Sequence, residues 1–186
     1  MKRVFDFLLS LILLILFTPL MVIVFIMVKL TSKGPALFWS QRVGIDNKLF
    51  SMPKFRTMKI ETPQVATHLL EDSVNYKTSI GDFLRKTSLD ELPQLISILT
   101  GKMSFVGPRP ALFNQEDLIA LRTQKNIHLV MPGLTGWAQI NGRDEISINE
   151  KVELDFEYTK KRSFFFDLKI MYLTFLKVVA KENVSH

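Results

Sequence analysis

The sequence predicts an α+β protein, mostly helical, assembled around a membrane-inserted N-terminus. Three observations carry that prediction. Residues 7–28 form an almost unbroken apolar run of 22 residues, enough to cross a hydrocarbon core as a helix. Residues 37–58 alternate aromatic and basic side chains in the manner of short strands, and the rest of the chain is mostly helical in pattern. At 186 residues, the chain holds one compact domain beyond the apolar run.

The apolar run has two unusual features. Thr18-Pro19 falls at its centre, where proline removes a helical hydrogen bond and bends the helix. Both flanks are also basic, with Lys2 and Arg3 before it and Lys29 and Lys33 after it. A spanning helix usually shows Lys/Arg bias towards one side, so symmetric flanks suit a segment that enters, bends and returns. On residue pattern alone, spanning and re-entry are equally supported. The length of the run and the lack of a small-residue cleavage site after it favour an anchor over a cleaved signal peptide.

Thr31 to Pro35 brings turn residues that end the segment. Residues 37–58 read as two strands around a turn at Gly44-Ile45-Asp46-Asn47, and residues 61–76 as a polar loop or short helix. Helices are expected over 80–86, 89–99 and 111–124. A turn over 132–136 and a short strand at Trp137-Ala138-Gln139-Ile140 follow. Residues 147–161 and 167–180 complete the helical set, the last rich enough in apolar residues to lie in a membrane interface.

Charge is unevenly placed. The net is +6, but residues 1–60 hold nine Lys/Arg against Asp6 and Asp46, and the other 126 residues are nearly balanced. Basic residues beside an apolar segment are drawn to anionic headgroups, at about 1 kcal/mol each. With a neutral body and no nucleic-acid module signature, nucleic acid is not an expected partner. The chain contains no cysteine, which excludes disulfides, thiolate zinc sites and a cysteine nucleophile.

The chemistry concentrates in Ser88-Leu89-Asp90-Glu91-Leu92-Pro93-Gln94-Leu95. Arg85 and Lys86 precede it, and Gly107-Pro108-Arg109-Pro110 follows. Adjacent carboxylates among cations suit phosphate chemistry: one acid attacks or holds a metal, and the cations neutralise phosphoryl charge. Taken alone, the octapeptide reads better as a helix start, with Ser88-x-x-Glu91 as a capping box and Asp90 favouring the helix dipole. Arg109 between two prolines sits on a stiff loop, which suits bidentate phosphate recognition. In a strand, Lys54 and Arg56 share one side while Phe55 packs on the other; the plain reading is an edge strand with protective charges. Arg143 lies in an Asn-Gly-Arg turn, and His128 reads as a packed histidine.

In order along the chain, these landmarks resemble the bacterial sugar transferase family, the monotopic phosphoglycosyl transferases. The matching blocks are Lys2-Arg3 with Asp6, Thr18-Pro19, Gly34-Pro35 with Phe38-x-x-Gln41-x-Arg42-x-Gly44, and Lys54-Phe55-Arg56-Thr57-Met58. They continue through Leu84-Arg85, the octapeptide, 103–110, 132–139, Asn141-Gly142-Arg143, Asp155-x-x-Tyr158 and Asp167-Leu168-Lys169. Departures are few: Thr18 stands where serine is common, and Lys102, Ile127 and Met131 replace usual charged residues.

The resemblance implies sugar-1-phosphate transfer from a UDP-sugar to a polyprenyl phosphate, with UMP released, through a covalent phosphosugar on Asp90. It implies that Glu91, with Asp90, holds Mg²⁺, and that Arg85, Arg109, Arg143, Lys54 and Arg56 contact substrate. It implies a re-entrant segment over residues 1–33, bent at Thr18 and Pro19. Residues 34–186 would then form a catalytic domain on the cytoplasmic face of the bacterial inner membrane. The implied partners are UDP-sugar, polyprenyl phosphate and the membrane; a homodimer is compatible with the sequence and not required by it.

Overall fold

One long helix and the body packed along it define the architecture. The computed structural model describes residues 1–63, 76–142 and 146–179. Helix α1 (Lys2–Thr31) spans 30 residues, about 45 Å at 1.5 Å per residue. Its buried or half-buried positions include Asp6, Leu9, Ser10, Leu13, Leu14, Phe17, Leu20, Met21, Val24 and Val28. Steps of three and four residues put them on one stripe that packs on the body along the whole helix. The opposite side exposes Leu8, Ile12, Ile15, Leu16, Ile23 and Ile26.

Both ends of α1 are tied to the same body. Lys2 Nζ donates to the Val106 carbonyl at 3.1 Å and pairs with Asp167. Arg3 donates to the carbonyls of Ile98 (2.6 Å) and Leu99 (2.9 Å), and Asp6 accepts from the Phe105 N–H. At the other end, Arg56 Nη2 donates to the Ser32 carbonyl at 3.1 Å and its hydroxyl at 2.8 Å. The break expected at Thr18-Pro19 is not a break in helical structure, which runs through Pro19. Thr18 Oγ1 donates to the Leu14 carbonyl at 2.6 Å, adding a bond one turn back beside the donor that proline lacks.

Strands β1 (Leu37–Val43) and β2 (Leu49–Phe55) form the expected antiparallel hairpin, from Leu37 opposite Phe55 to Val43 opposite Leu49. Its tight connection places Asp46 and Asn47 at φ 55° and 57°, left-handed values that short polar residues tolerate. Helices α2 (Gly81–Lys86) and α3 (Gln94–Leu99) follow, with a 3₁₀ turn at Leu89–Glu91 between them. The expected helix over 89–99 is therefore a 3₁₀ turn followed by a short α-helix. Strands β3 (Ser104–Val106) and β4 (Gly133–Thr135) pair in parallel.

Helix α4 (Glu116–Gln124) starts later than the pattern over 111–124 suggests, because residues 111–112 are drawn into pairing with the hairpin edge. The Val43 N–H donates to the Ala111 carbonyl at 3.0 Å, and Arg42 bridges Leu112. The strand expected at 137–140 is instead helix α5 (Trp137–Ile140). The strand lies four residues earlier, within the turn expected over 132–136, since β3 offers its edge to Gly133–Thr135. Trp137 Nε1 then reaches Glu157 at 2.9 Å, on α6 (Ile148–Lys161). Helix α6 opens on a complete capping box between Ser147 and Glu150. Helix α7 (Phe164–Val179) closes the described chain and exposes Phe165, Tyr172 and Phe175. The largest core cluster includes Met52, Leu95, Ile98, Val106, Ile140, Tyr158 and Ile170, so it draws on both strand pairs and on helices α3, α5, α6 and α7.

Candidate active site

Asp90 and Glu91 are held at the short 3₁₀ turn, which begins after Ser88 takes a left-handed conformation (φ 56°, ψ 17°). Such a conformation is costly for a serine with no local partner. It also answers the capping question. Ser88 makes no side-chain cap, and Glu91 reaches away from it. Glu91 Oε1 accepts from Lys54 Nζ at 2.9 Å and from Arg109 Nη2 at 2.7 Å. Both carboxylates are largely withdrawn from solvent.

Each cation comes from a different element. Lys54 is the penultimate residue of β2. Arg85, in the last turn of α2, donates from Nε to Thr57 Oγ1 at 3.0 Å. Arg109 rides a loop fixed on several sides. Arg122 Nη1 donates to the Arg109 carbonyl at 2.8 Å, and Arg42 Nη1 to the Pro110 carbonyl at 3.1 Å. The Gly107 N–H reaches the Thr135 carbonyl and the Gly133 N–H reaches the Pro108 carbonyl, both at 2.9 Å. Here β3 and β4 approach so closely that a Cβ on Gly107, Gly133 or Gly136 would collide with backbone across the gap. Only glycine permits that crossing. Arg122 is in turn fixed by Asp155, with Nε and Nη2 at 3.0 and 2.5 Å from Oδ2, both residues buried.

The electrostatics separate the two acids. Burial pushes the Asp90 carboxyl up from 3.8 to about 6; Lys54 opposes the rise and Glu91 adds to it. Glu91 is buried too, but Arg109 and then Lys54 outweigh that burial and hold its carboxyl well below the usual range. Burial also lowers the Lys54 ammonium. Neighbouring carboxylates pushed apart in this way take different roles. Asp90 is the more basic and more nucleophilic oxygen, and Glu91 is a permanent anion that locks two cations in place.

The remaining expected site residues are distributed differently. Strand β2 ends at Phe55, so the alternation that would put Arg56 beside Lys54 stops there, and Arg56 points to Ser32 at the end of α1. Arg143 lies outside the described residues. His128 is half-buried in a turn behind the Pro108–Pro110 loop. Arg42, Thr57 and Asp155 stand in the matching motif blocks without an expected site role, and Arg122 stands in none of them; each acts here through a partner distant in sequence.

The family model for bacterial sugar transferases matches residues 1–181. The chain belongs to the bacterial sugar transferase family. Among its relatives is a UDP-glucose:undecaprenyl-phosphate glucose-1-phosphate transferase of Escherichia coli, 43% identical over 185 residues. That match covers 95% of this chain and 40% of the relative. An uncharacterized sugar transferase of Bacillus subtilis, EpsL, is 43% identical over 187 residues, covering all of this chain and 90% of its own. An undecaprenyl-phosphate galactose phosphotransferase of Salmonella typhimurium is 36% identical over 203 residues, covering all of this chain and 42% of the relative. The chain thus spans about two-fifths of the length of the Escherichia coli and Salmonella relatives and nearly all of the Bacillus one.

Proposed function

We propose that this chain transfers a sugar-1-phosphate from a UDP-sugar to undecaprenyl phosphate, in two steps through Asp90. The observation that carries the proposal is the contrast at the dyad. Glu91 is committed to Lys54 and Arg109, whereas the Asp90 carboxylate has no hydrogen-bond partner among the described residues. In the first step an Asp90 oxygen attacks the β-phosphorus. A new P–O bond forms, the bond from that phosphorus to the bridging oxygen breaks, and UMP leaves with the electron pair. In the second step an oxygen of the lipid phosphate attacks the same phosphorus and the Asp90 carboxylate departs. Lys54, Arg85 and Arg109 stabilise the charge on the phosphoryl oxygens in both steps.

The donor set fits Mg²⁺ in one mode. Among the described residues no group of three acidic or imidazole side chains could form a protein cage. Mg²⁺ often takes only one or two carboxylates and completes its shell with water and substrate phosphates. Asp90 and Glu91 can supply those hard oxygens, and the ion would neutralise diphosphate charge. Glu91→Gln is expected to raise the Mg²⁺ concentration needed for half-maximal rate as well as to lower the rate, which a Mg²⁺ titration reads directly. An unchanged requirement would confine Glu91 to holding Lys54 and Arg109.

We also propose that α1 enters the bilayer from one face and returns to it, with the body on the cytoplasmic side. Two features support this: Lys2, Arg3 and Ser32, at opposite ends of α1, bind one body, and the outward side of the helix is continuously apolar. A helix that carried either end across the membrane would have to abandon one of those attachments. Cysteines placed at Val4 and Lys33, both exposed, are expected to be shielded together from an impermeant periplasmic reagent. Labelling at position 4 alone would make α1 an ordinary span. Turnover itself is tested with undecaprenyl phosphate, Mg²⁺ and a panel of UDP-sugars, read by UMP release. No UMP from any sugar would reject the assignment.

A further inference from the structure

Thr57 follows Lys54 by three residues and stands, buried, just beyond the end of β2. The Arg56 N–H donates to the Ala36 carbonyl at 2.8 Å, so the alignment of the hairpin extends to the residue before it. Thr57 holds α2 at both ends. Its carbonyl accepts from the Thr78 N–H at 3.0 Å and from Thr78 Oγ1 at 3.2 Å, just ahead of that helix. A Cβ on Gly81 would lie 2.2 Å from the same carbonyl oxygen, so only glycine lets α2 start this close. The Thr57 hydroxyl serves the last turn instead, accepting from Arg85 Nε at 3.0 Å. From Arg85 the chain leads directly into the dyad. The Arg85 carbonyl accepts from the Ser88 N–H at 3.1 Å, and the Ser88 carbonyl from the Glu91 N–H at 3.2 Å. Burial lowers the Arg85 guanidinium, and Asp90 is the foremost charge that opposes this.

The two contacts of Thr57 do different things. Its carbonyl anchors the start of α2, and any residue type supplies a carbonyl. A valine would fill the same volume, so packing does not call for the hydroxyl. The hydroxyl bonds the part of Arg85 that sets the plane of its guanidinium, because holding Nε–H stops rotation about the last side-chain bonds. We infer that Thr57 is a positioning residue: its hydroxyl fixes the Arg85 fork and its spacing from Lys54, so that both cations meet the phosphoryl group on Asp90 in one arrangement. This inference rests on the proposed function. Lys54 and Arg85 come from different elements, and Thr57 bonds the chain of the first to the helix of the second. A planar fork matches phosphoryl oxygens only in the right plane, which makes its orientation worth fixing in advance. Thr57 touches no substrate and moves no proton; it orders a group that meets the phosphoryl charge.

The test compares Thr57→Ser with Thr57→Ala in the full chain. Both lose the methyl group, and only Thr57→Ser keeps the hydroxyl. Single-turnover formation of the phosphosugar adduct from UDP-sugar, without lipid acceptor, is read by intact mass. Thr57→Ser is expected to react at close to the wild-type rate. Thr57→Ala is expected to be about 10- to 100-fold slower, the cost of a small misplacement of a reacting or stabilising group. Thr57→Val, which keeps the volume, should be slow as well, which separates the hydroxyl from packing. In an Arg85→Met background, Thr57→Ser and Thr57→Ala are expected to react equally slowly, because the hydroxyl then has nothing to hold. Equal rates for the two variants with Arg85 present, or the same ratio between them with Arg85 replaced, overturn the role of Thr57 and leave the two-step reading intact. A wild type that turns over without any adduct overturns the two-step reading, and the same comparison then decides the role of Thr57 on UMP release. A wild type that releases no UMP overturns the proposed function and this inference together.

Discussion

Asp90→Asn is expected to abolish turnover while making the protein more stable at neutral pH. The amide is nearly the same volume but a poor nucleophile, and loss of a covalent nucleophile typically reduces rate by about 10⁴-fold or more. No phosphosugar mass should appear on the variant, whereas the wild type should gain one. The stability gain follows from burial. Asp90 titrates near 6 in the folded protein, above its ordinary 3.8. A raised folded-state pKa means that the folded chain holds the proton more tightly than the unfolded one. The ionised carboxylate therefore destabilises the fold, fully above about pH 6 and not at all below about pH 4. From 3.8 to about 6, the effect at pH 7.5 is on the order of 3 kcal/mol. Melting curves of the two proteins should separate at pH 7.5 and converge by pH 4. Converging curves at every pH would show that Asp90 is not strained by burial. The same titration predicts that wild-type adduct formation falls about tenfold for each pH unit below 6, as the nucleophile takes up its proton.

Asp155→Ala should give the largest loss of stability of any single change near the site. It leaves Arg122 buried without its counter-charge, a loss typically of about 3–5 kcal/mol. Because Arg122 also holds the Arg109 carbonyl, the damage should reach the dyad. A double change of Arg122 to Met and Asp155 to Leu replaces the pair with apolar volume. It should recover most of the melting temperature but not the rate, since the Arg109 loop would still lack its clamp. Recovery of both would reduce the pair to packing.

Much of this was legible in the sequence because it is written locally. The apolar run, the hairpin and its turn, the helix over 147–161 and the ordered motif blocks each lie within one stretch of the chain. The Asp90-Glu91 pair was legible as chemistry, but its two readings, cap or catalyst, could not be separated from within the octapeptide. What draws Glu91 away from a capping role is Lys54 and Arg109, 37 and 18 residues from it, and no local pattern reports such a meeting. The same physics explains the misplaced elements. Residues 133–135 become a strand because β3 offers an edge, and residues 111–112 pair with β1 rather than lengthen α4. Arg56 contacts Ser32 because alternation holds only while a strand continues, and β2 stops one residue before it.

The double attachment of α1 has a consequence for the order of assembly. The partners of Lys2 and Arg3 lie as far along the chain as Asp167, 165 residues later. At typical translation rates of 5–20 residues per second, that partner emerges on the order of ten seconds after the helix does. Until Arg56 and then residues 98–106 emerge to meet it, α1 has only its own turns and the bilayer to hold it. The helix must therefore be stable by itself, which its composition permits and a sequence tuned only to the body would not. On the proposed topology the newborn protein is already at the membrane before its catalytic body exists. The body then folds onto a waiting template, and closure of Lys2 with Asp167 is among the last of its long-range contacts to form.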